Sequence, residues 1–188
     1  MIIKNNTKRI KQFFIFEQTN TMDLTENCIL NHDEINHKVK RIAYQIYESN
    51  VEEQEIILAG IESNGYLFAE KLRAALVEIC DINPVLCKVS IDKRNPTNPI
   101  STSLTKEAYT NKSLVLVDDV LNSGTTLIYG VKHFLDVPLK QFKTAVLVNR
   151  NHKKYPVKAD FKGISLSTSI HEHISVIFTG KKTKVILE

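Results

Sequence analysis

The 188-residue sequence predicts an α/β fold, a central parallel sheet flanked by helices. Three observations carry that expectation. Continuous apolar runs of the kind buried on both faces of a parallel sheet recur at 55–60, 113–117 and 144–148. Stretches with apolar residues at helical spacing separate them. Turn-forming residues follow directly after the first two runs, at the sheet edge where such folds bind ligands.

The elements follow in order. Asn31-His32-Asp33-Glu34 sets a side-chain cap three residues before a Glu, a capping box. Ile35, Val39, Ile42, Ala43 and Ile46 then repeat at helical spacing, which predicts a helix to about Ser49. The strand at 55–60 leads through Glu62-Ser63-Asn64-Gly65 into an amphipathic helix from Tyr66 to about Cys80. Val85 to Ile91 alternates as a strand does, and the polar stretch from Asp92 to Tyr109 reads as a long loop with part of a hairpin. The strand at 113–117 ends in Asp118-Asp119, and the loop Asn122-Ser123-Gly124-Thr125-Thr126 opens a helix to about Leu135. After the strand at 144–148, residues 150–172 read as irregular and basic. Ser175 to Phe178 and Lys184 to Leu187 form a closing hairpin around Thr179-Gly180-Lys181-Lys182.

Composition removes several classes. With 43% hydrophobic residues, 24% charged, 6 Gly and 5 Pro, disorder, collagen-like repeats and a disulfide scaffold are excluded. No apolar run approaches the roughly 20 residues of a membrane span. The formal charge of +4 is unevenly placed: Lys4, Lys8, Arg9 and Lys11 face only Glu17 in residues 1–21. Residues 1–21 are therefore read as an N-terminal extension and 22–188 as one domain whose near-neutral body is no general polyanion binder. Cys28, Cys80 and Cys87 form no C-x-x-C pair, which favours a reducing compartment, the cytoplasm.

The most informative stretch runs from Val115 to Thr126. Two carboxylates stand at the end of a buried strand, and a small-residue turn brings the amides of Ser123 to Thr126 before a helix N-terminus. Free N–H groups and the positive end of the helix dipole make a phosphate site there, and three hydroxyls add donors. The acidic pair suits sugar hydroxyls or a hard cation such as Mg²⁺. The ligand so described carries a phosphate near a diol, as a ribose 5-phosphate does. The loop is neither a Walker A nor G-x-G-x-x-G.

This string resembles the phosphoribosyl-diphosphate (PRPP) signature of type I phosphoribosyltransferases, and within them the PyrR group of pyrimidine-operon attenuators and uracil phosphoribosyltransferases. Gly60-Ile61-Glu62-Ser63-Asn64-Gly65 is similar to the family's pyrophosphate loop. The stretch from Ala145 to His152, then Pro156 to Gly163, is similar to PyrR around its base-binding segment. The resemblance implies a type I phosphoribosyltransferase fold with a small hood from the terminal segments. It also implies transfer of phosphoribosyl from PRPP to a nucleobase, uracil first, with Mg²⁺, in a dimer or higher homo-oligomer. By position, Asp118 and Asp119 would hold the ribose hydroxyls, directly or through Mg²⁺, and Ser123, Gly124, Thr125 and Thr126 the 5-phosphate, with Asn122 beside them among the substrate-binding residues. Ser63, Asn64 and Gly65 would face pyrophosphate. A loop from about Asp92 to Glu107, with Lys93, Arg94 and Lys106, would close over the site, Arg94 acting in catalysis. Lys158, Asp160 and Phe161 would sit near the base.

The sequence departs from the PyrR pattern at Ser63-Asn64-Gly65, where Thr-Arg-Gly would place a cation on the pyrophosphate. That departure keeps open a nucleotide-sensing, RNA-binding regulator without catalysis, and 158–161 keeps open a purine-base transferase. The cluster Arg150, His152, Lys153 and Lys154 reads first as solvated surface, then as substrate steering, and only third as an RNA contact, since few aromatics are interleaved. His171 and His173 lack a third metal ligand at a suggestive spacing, and Lys181, Lys182 and Lys184 read as a solvated turn.

Overall fold

A computed structural model describes residues 27–169, 172–180 and 183–188. Residues 1–21, His171, Lys181 and Lys182, about which the sequence raised expectations, lie outside the described residues. The elements are β1 (Asn27–Leu30), α1 (His32–Glu48), β2 (Glu55–Ile61), α2 (Asn64–Ile79), β3 (Asn83–Ser90), β4 (Ser101–Thr102), α3 (Lys106–Tyr109), β5 (Ser113–Leu121), α4 (Thr125–Phe134), β6 (Gln141–Arg150), β7 (Phe161–Leu166), β8 (Ile174–Ile177) and β9 (Lys184–Leu187).

A six-stranded sheet has the order β4-β3-β2-β5-β6-β7, parallel except for the short antiparallel β4 at one edge. The middles of its central strands, 56–61, 114–117 and 145–148, are apolar because both faces are covered. On one face Ile35, Ile42 and Ile46 of α1 and Phe68, Leu72 and Leu76 of α2 pack against Leu58, Val115, Val117 and Leu147. On the other, Leu127 and Phe134 of α4 and Tyr109 of α3 pack against Ile57, Leu114, Leu116 and Val146. The capping box at the start of α1 is formed: Asn31 Oδ1 accepts from Glu34 N–H at 3.0 Å, and Glu34 Oε2 accepts from Asn31 N–H at 2.9 Å.

The terminal segments make a separate three-stranded antiparallel sheet, β1-β9-β8, which is the expected hood. Ile174, Val176 and Val185 tie it to the α1–α2 side of the core. Three local expectations are corrected. Helix α2 begins at Asn64 rather than Tyr66. The loop after β3 holds a turn of helix, α3, anchored by the Tyr109 ring edge-on to Phe134 at 5.1 Å. Residues 161–166, read as irregular, form the edge strand β7 beside β6. Among the described residues no helix is long and apolar enough to cross a membrane.

Candidate active site

Strand β5 runs on through its acidic pair to Leu121, so Asp118 stands within the strand, opposite Val146 of β6. Only 5% of Asp118 is exposed. Its Oδ1 accepts from Asp119 N–H at 3.0 Å, and Lys93 Nζ reaches to 3.9 Å from the same oxygen. Burial above all, and then the charge of Asp119, push the Asp118 carboxyl up to about 8, against the pull of Lys93. Two carboxylates so placed favour a ligand that brings positive charge or hydroxyl donors.

The loop after β5 has the shape its residues call for. Gly124 caps α4 with φ +81°, a left-handed backbone, and a Cβ there would stand 2.6 Å from Val157 Cγ1. The first helical bond is Ile128 N–H to the Gly124 carbonyl at 3.0 Å. The N–H groups of Thr125, Thr126 and Leu127 therefore belong to the first turn, whose donors an anion can take. Ser123 Oγ lies 2.9 Å from Thr125 Oγ1 and accepts from Thr125 N–H at 3.3 Å. The Ser123 carbonyl accepts from Lys154 N–H at 2.8 Å and Tyr155 N–H at 3.3 Å, so the chain after β6 braces this loop from behind.

The loop after β2 is built differently. Ser63 adopts φ 74°, ψ −127°, a conformation L side chains rarely take, and its side chain caps nothing. Gly65, in the first turn of α2, rests on β5: a Cβ there would lie 3.0 Å from Asp118 Oδ1 and 3.0 Å from the Val117 carbonyl. Asn64 Nδ2 donates to the Val176 carbonyl of β8 at 2.8 Å, so its amide ties the loop to the hood. Glu62 pairs with Lys88 at 2.7 Å and accepts from Ser90 Oγ; the Lys88 hydrogen bond, first of these, lowers its carboxyl below the usual range.

The remaining expected residues divide. Lys93 comes to Asp118, whereas Arg94 is exposed on a turn whose backbone N–H donates to Asp92 Oδ1 at 2.9 Å. Lys106 turns away, paired with Asp136 at 3.0 Å. The Asp160 carboxylate has partners of its own: Oδ2 accepts from Thr144 N–H at 2.9 Å and Thr144 Oγ1 at 3.0 Å, and Lys143 stands 3.7 Å from Oδ1. It anchors the start of β7 to β6, two residues before the Val146 that faces Asp118. Exposed Lys158 gives its carbonyl to Thr144 Oγ1, and half-buried Phe161 packs on the α1–α2 core.

Two residues escaped the sequence reading. Asn149, opposite Leu121, is 8% exposed; its Nδ2 donates to Ser165 Oγ at 3.2 Å, and its Oδ1 is buried without a partner. Arg150, expected in a solvated cluster, is instead buried at the end of β6. A cavity of about 540 Å³ lies here, lined by Asn122, Ser123, Arg150, His152, Lys153 and Lys154 among others. Among the described residues no group of three or more His, Cys, Asp or Glu is gathered to hold a metal without help from a ligand.

A parallel sheet with an acidic pair and a phosphate-type loop after one strand, and a second loop folded against that pair, is the arrangement of a phosphoribosyl-handling protein. The phosphoribosyl transferase domain model matches residues 27–178, and the chain belongs to that family. Curated relatives include the bifunctional protein PyrR of Fusobacterium nucleatum, 34% identical over 178 residues, covering 88% of this chain and 100% of that protein. The PyrR of Chloroflexus aurantiacus is 31% identical over 159 residues, covering 80% and 87%. Among solved structures, the hypoxanthine phosphoribosyltransferase of Trypanosoma cruzi superposes with a TM-score of 0.71 at 14% identity, over 88% of this chain and 97% of that one. At that identity the likeness concerns the fold: the type I phosphoribosyltransferase fold.

Proposed function

We propose that the protein transfers the 5-phosphoribosyl group of PRPP to uracil, releasing pyrophosphate. The observation that carries this reading is the convergence at Asp118. An acidic pair, Asp118 buried and Asp119 half-buried, lies on β5 between two helix starts, one reached through the Ser123–Thr126 loop and the other laid on Asp118 through Gly65. That spacing suits a ligand with phosphate at one end, a diol in the middle and pyrophosphate at the other.

In this reading the amides and hydroxyls of Ser123, Gly124, Thr125 and Thr126 hold the 5-phosphate. Asp118 and Asp119 accept from the ribose hydroxyls. The acidic pair, with no third protein ligand beside it among the described residues, fits a Mg²⁺ ion that completes its oxygen shell from the substrate and water. Bound there, Mg²⁺ would neutralise charge on the departing pyrophosphate. As the bond from the anomeric carbon to pyrophosphate breaks and the bond to the base nitrogen forms, the proton on that nitrogen leaves with the pyrophosphate, and positive charge develops on the sugar in passing. Asp118 and Asp119 stabilise that charge electrostatically. Lys93, and Arg94 on the same turn, supply cations to the leaving group, and the loop carrying them keeps out water that would hydrolyse the activated sugar. The half-buried Phe161 and the segment around Lys158 and Asp160 border the base.

Pyrophosphate release from PRPP and Mg²⁺, with uracil, hypoxanthine, guanine and adenine supplied separately, tests the proposal. Release with uracil alone supports it. Release with a purine alone replaces uracil, and no release with any base removes catalysis.

A second reading has its own observation in its favour. The Asn64 amide is engaged by Val176, so the loop after β2 brings no cation to the pyrophosphate end, and Lys106, farther along the chain, is held by Asp136. A pocket that binds PRPP or a nucleotide without turnover, as a regulator's sensor, fits that arrangement. Calorimetric binding without pyrophosphate release would select it, and RNA binding would then be measured next.

A further inference from the structure

Arg150 ends β6 and is 5% exposed, yet among the described residues no carboxylate ion-pairs with it. A buried guanidinium is costly to desolvate unless its donors are taken up. Here they are taken up by neutral acceptors on two separate segments. Nε donates to Thr168 Oγ1 at 2.6 Å, Nη2 to the Ser169 carbonyl at 2.6 Å, and Nη1 to Asn122 Oδ1 at 3.3 Å. The far side is itself held. His152 Nε2 donates to the Thr168 carbonyl, and Ser169 N–H donates to Glu172 Oε2 at 2.5 Å.

Asn122 immediately precedes Ser123, the first residue of the loop assigned to the 5-phosphate. Ser123 is already fixed from behind by Lys154 and Tyr155. Arg150 thus completes a second brace at the head of the same loop, joining it to the segment that follows β7. Only a planar fork reaches three acceptors in these directions; an ammonium on a flexible stem cannot.

We propose that Arg150 is a positioning residue for the phosphate loop: acting through Asn122, it fixes that loop against residues 168–169 and so sets PRPP affinity without touching the ligand. The proposal rests on the reading of the pocket as a PRPP site. Calorimetric titration of PRPP with Mg²⁺ into the full-length wild type, Arg150→Lys, Asn122→Ala and the double variant tests it. Pyrophosphate release gives KM and kcat alongside. Arg150→Lys is expected to weaken PRPP about tenfold, raising its KM while kcat stays within about twofold. Asn122→Ala should lose a similar factor, and the double variant should be no worse than either single one, because both remove the same link. Thr168→Val, which deletes the Nε acceptor and keeps the charge, should cost about threefold and serves if Arg150→Lys fails to fold.

Independent, multiplying losses in the double variant would overturn the proposal. So would unchanged PRPP affinity in Arg150→Lys or in Thr168→Val, or a fall in kcat with KM unmoved. A wild type that does not bind PRPP at all would remove the PRPP reading and this inference with it. Wild-type binding with unaffected variants removes only the inference.

Discussion

The loops after β5 and after β2, the second resting through Gly65 on Asp118 of β5, solve the same problem, a sharp turn from strand into helix, by different means. After β5 the left-handed position is Gly124, at φ +81°, and the donors around it come from the loop's own residues Ser123 and Thr125. After β2 the positive-φ position is Ser63, at 74°, and the Asn64 side chain bonds to a carbonyl in the hood. The first loop is locally consistent, as the phosphate proposed for it requires. The second is strained and depends on a contact 112 residues away. Local consistency marks a site that binds in the resting state, whereas strain with a distant tether marks one that can be moved.

Replacing Asp118, the β5 residue on which Gly65 rests, should have the largest effect. Its carboxyl is raised from the ordinary 3.8 to about 8, so the unliganded fold favours the protonated form. The stability it contributes is fully present below 3.8 and is lost as pH rises through about 8. Asp118→Asn keeps the shape and removes the ionisation. Turnover should fall by about 10³-fold or more, while stability at pH 8 rises by an amount on the order of a few kcal/mol. Thermal unfolding at pH 5 and pH 8 checks this: the wild type should be the less stable of the two at the higher pH, and the pH slope should flatten in the variant. A wild type equally stable at both would mean that Asp118 is not the buried acid described.

Gly65→Ala attacks the contact of the loop after β2 with β5 directly. The new methyl would lie 3.0 Å from both Asp118 Oδ1 and the backbone carbonyl of Val117, and the latter cannot swing aside. Either α2 lifts from β5 or Asp118 moves, and a shift of that kind at a reacting centre costs about 10²-fold in kcat/KM. PRPP affinity should fall less than turnover, because the Ser123–Thr126 loop is untouched. Equal losses in both would mean that the two loops are one mechanical unit.

That split also explains what could be read in advance. The loop proposed to hold the 5-phosphate was legible as a turn from strand into helix because its residues are contiguous: carboxylates, glycine and hydroxyls lie within Asp118 to Thr126. The apolar runs of β2, β5 and β6 announced a buried sheet for the same reason. Strand β1 was not legible, since Asn27 to Leu30 become a strand only by pairing with β9 near the other end of the chain. Strand β7 escaped because Lys162, Gly163 and Ser165 give little strand pattern, and β6 is its one partner in the sheet. Arg150 read as one of several surface cations, and only the fold brings Asn122, Thr168 and Ser169 around it.

Asn64 belongs to the same class, and its substitution sharpens the comparison at a smaller scale. Asn64→Ala deletes one partly buried hydrogen bond to the hood, worth about 1 kcal/mol. Asn64→Arg deletes it too but adds a cation at the loop that faces pyrophosphate in the proposed mechanism. If charge there is what catalysis lacks, kcat should rise severalfold, up to about tenfold, in the arginine variant alone, with equal stability loss in both. A fall in kcat shared by both variants would show that the hood tether, and not the missing charge, governs the loop.

The smallest effect is expected at Ser63, and it isolates backbone strain from every other term. Its side chain makes no capping bond, so Ser63→Gly removes no contact that holds the helix. Glycine relieves a conformation that costs roughly 1–3 kcal/mol in an L residue, but it also loosens the unfolded chain by about 1 kcal/mol. The balance should be a gain of about 1 kcal/mol in unfolding free energy, measured by chemical denaturation. A loss instead would mean that the surroundings of α2 impose no strain on Ser63, and the two loops would then differ only in where their hydrogen bonds lead. A gain in stability with a lower kcat would assign the strain to function, because a relaxed loop would no longer favour the geometry in which Gly65 lies against Asp118.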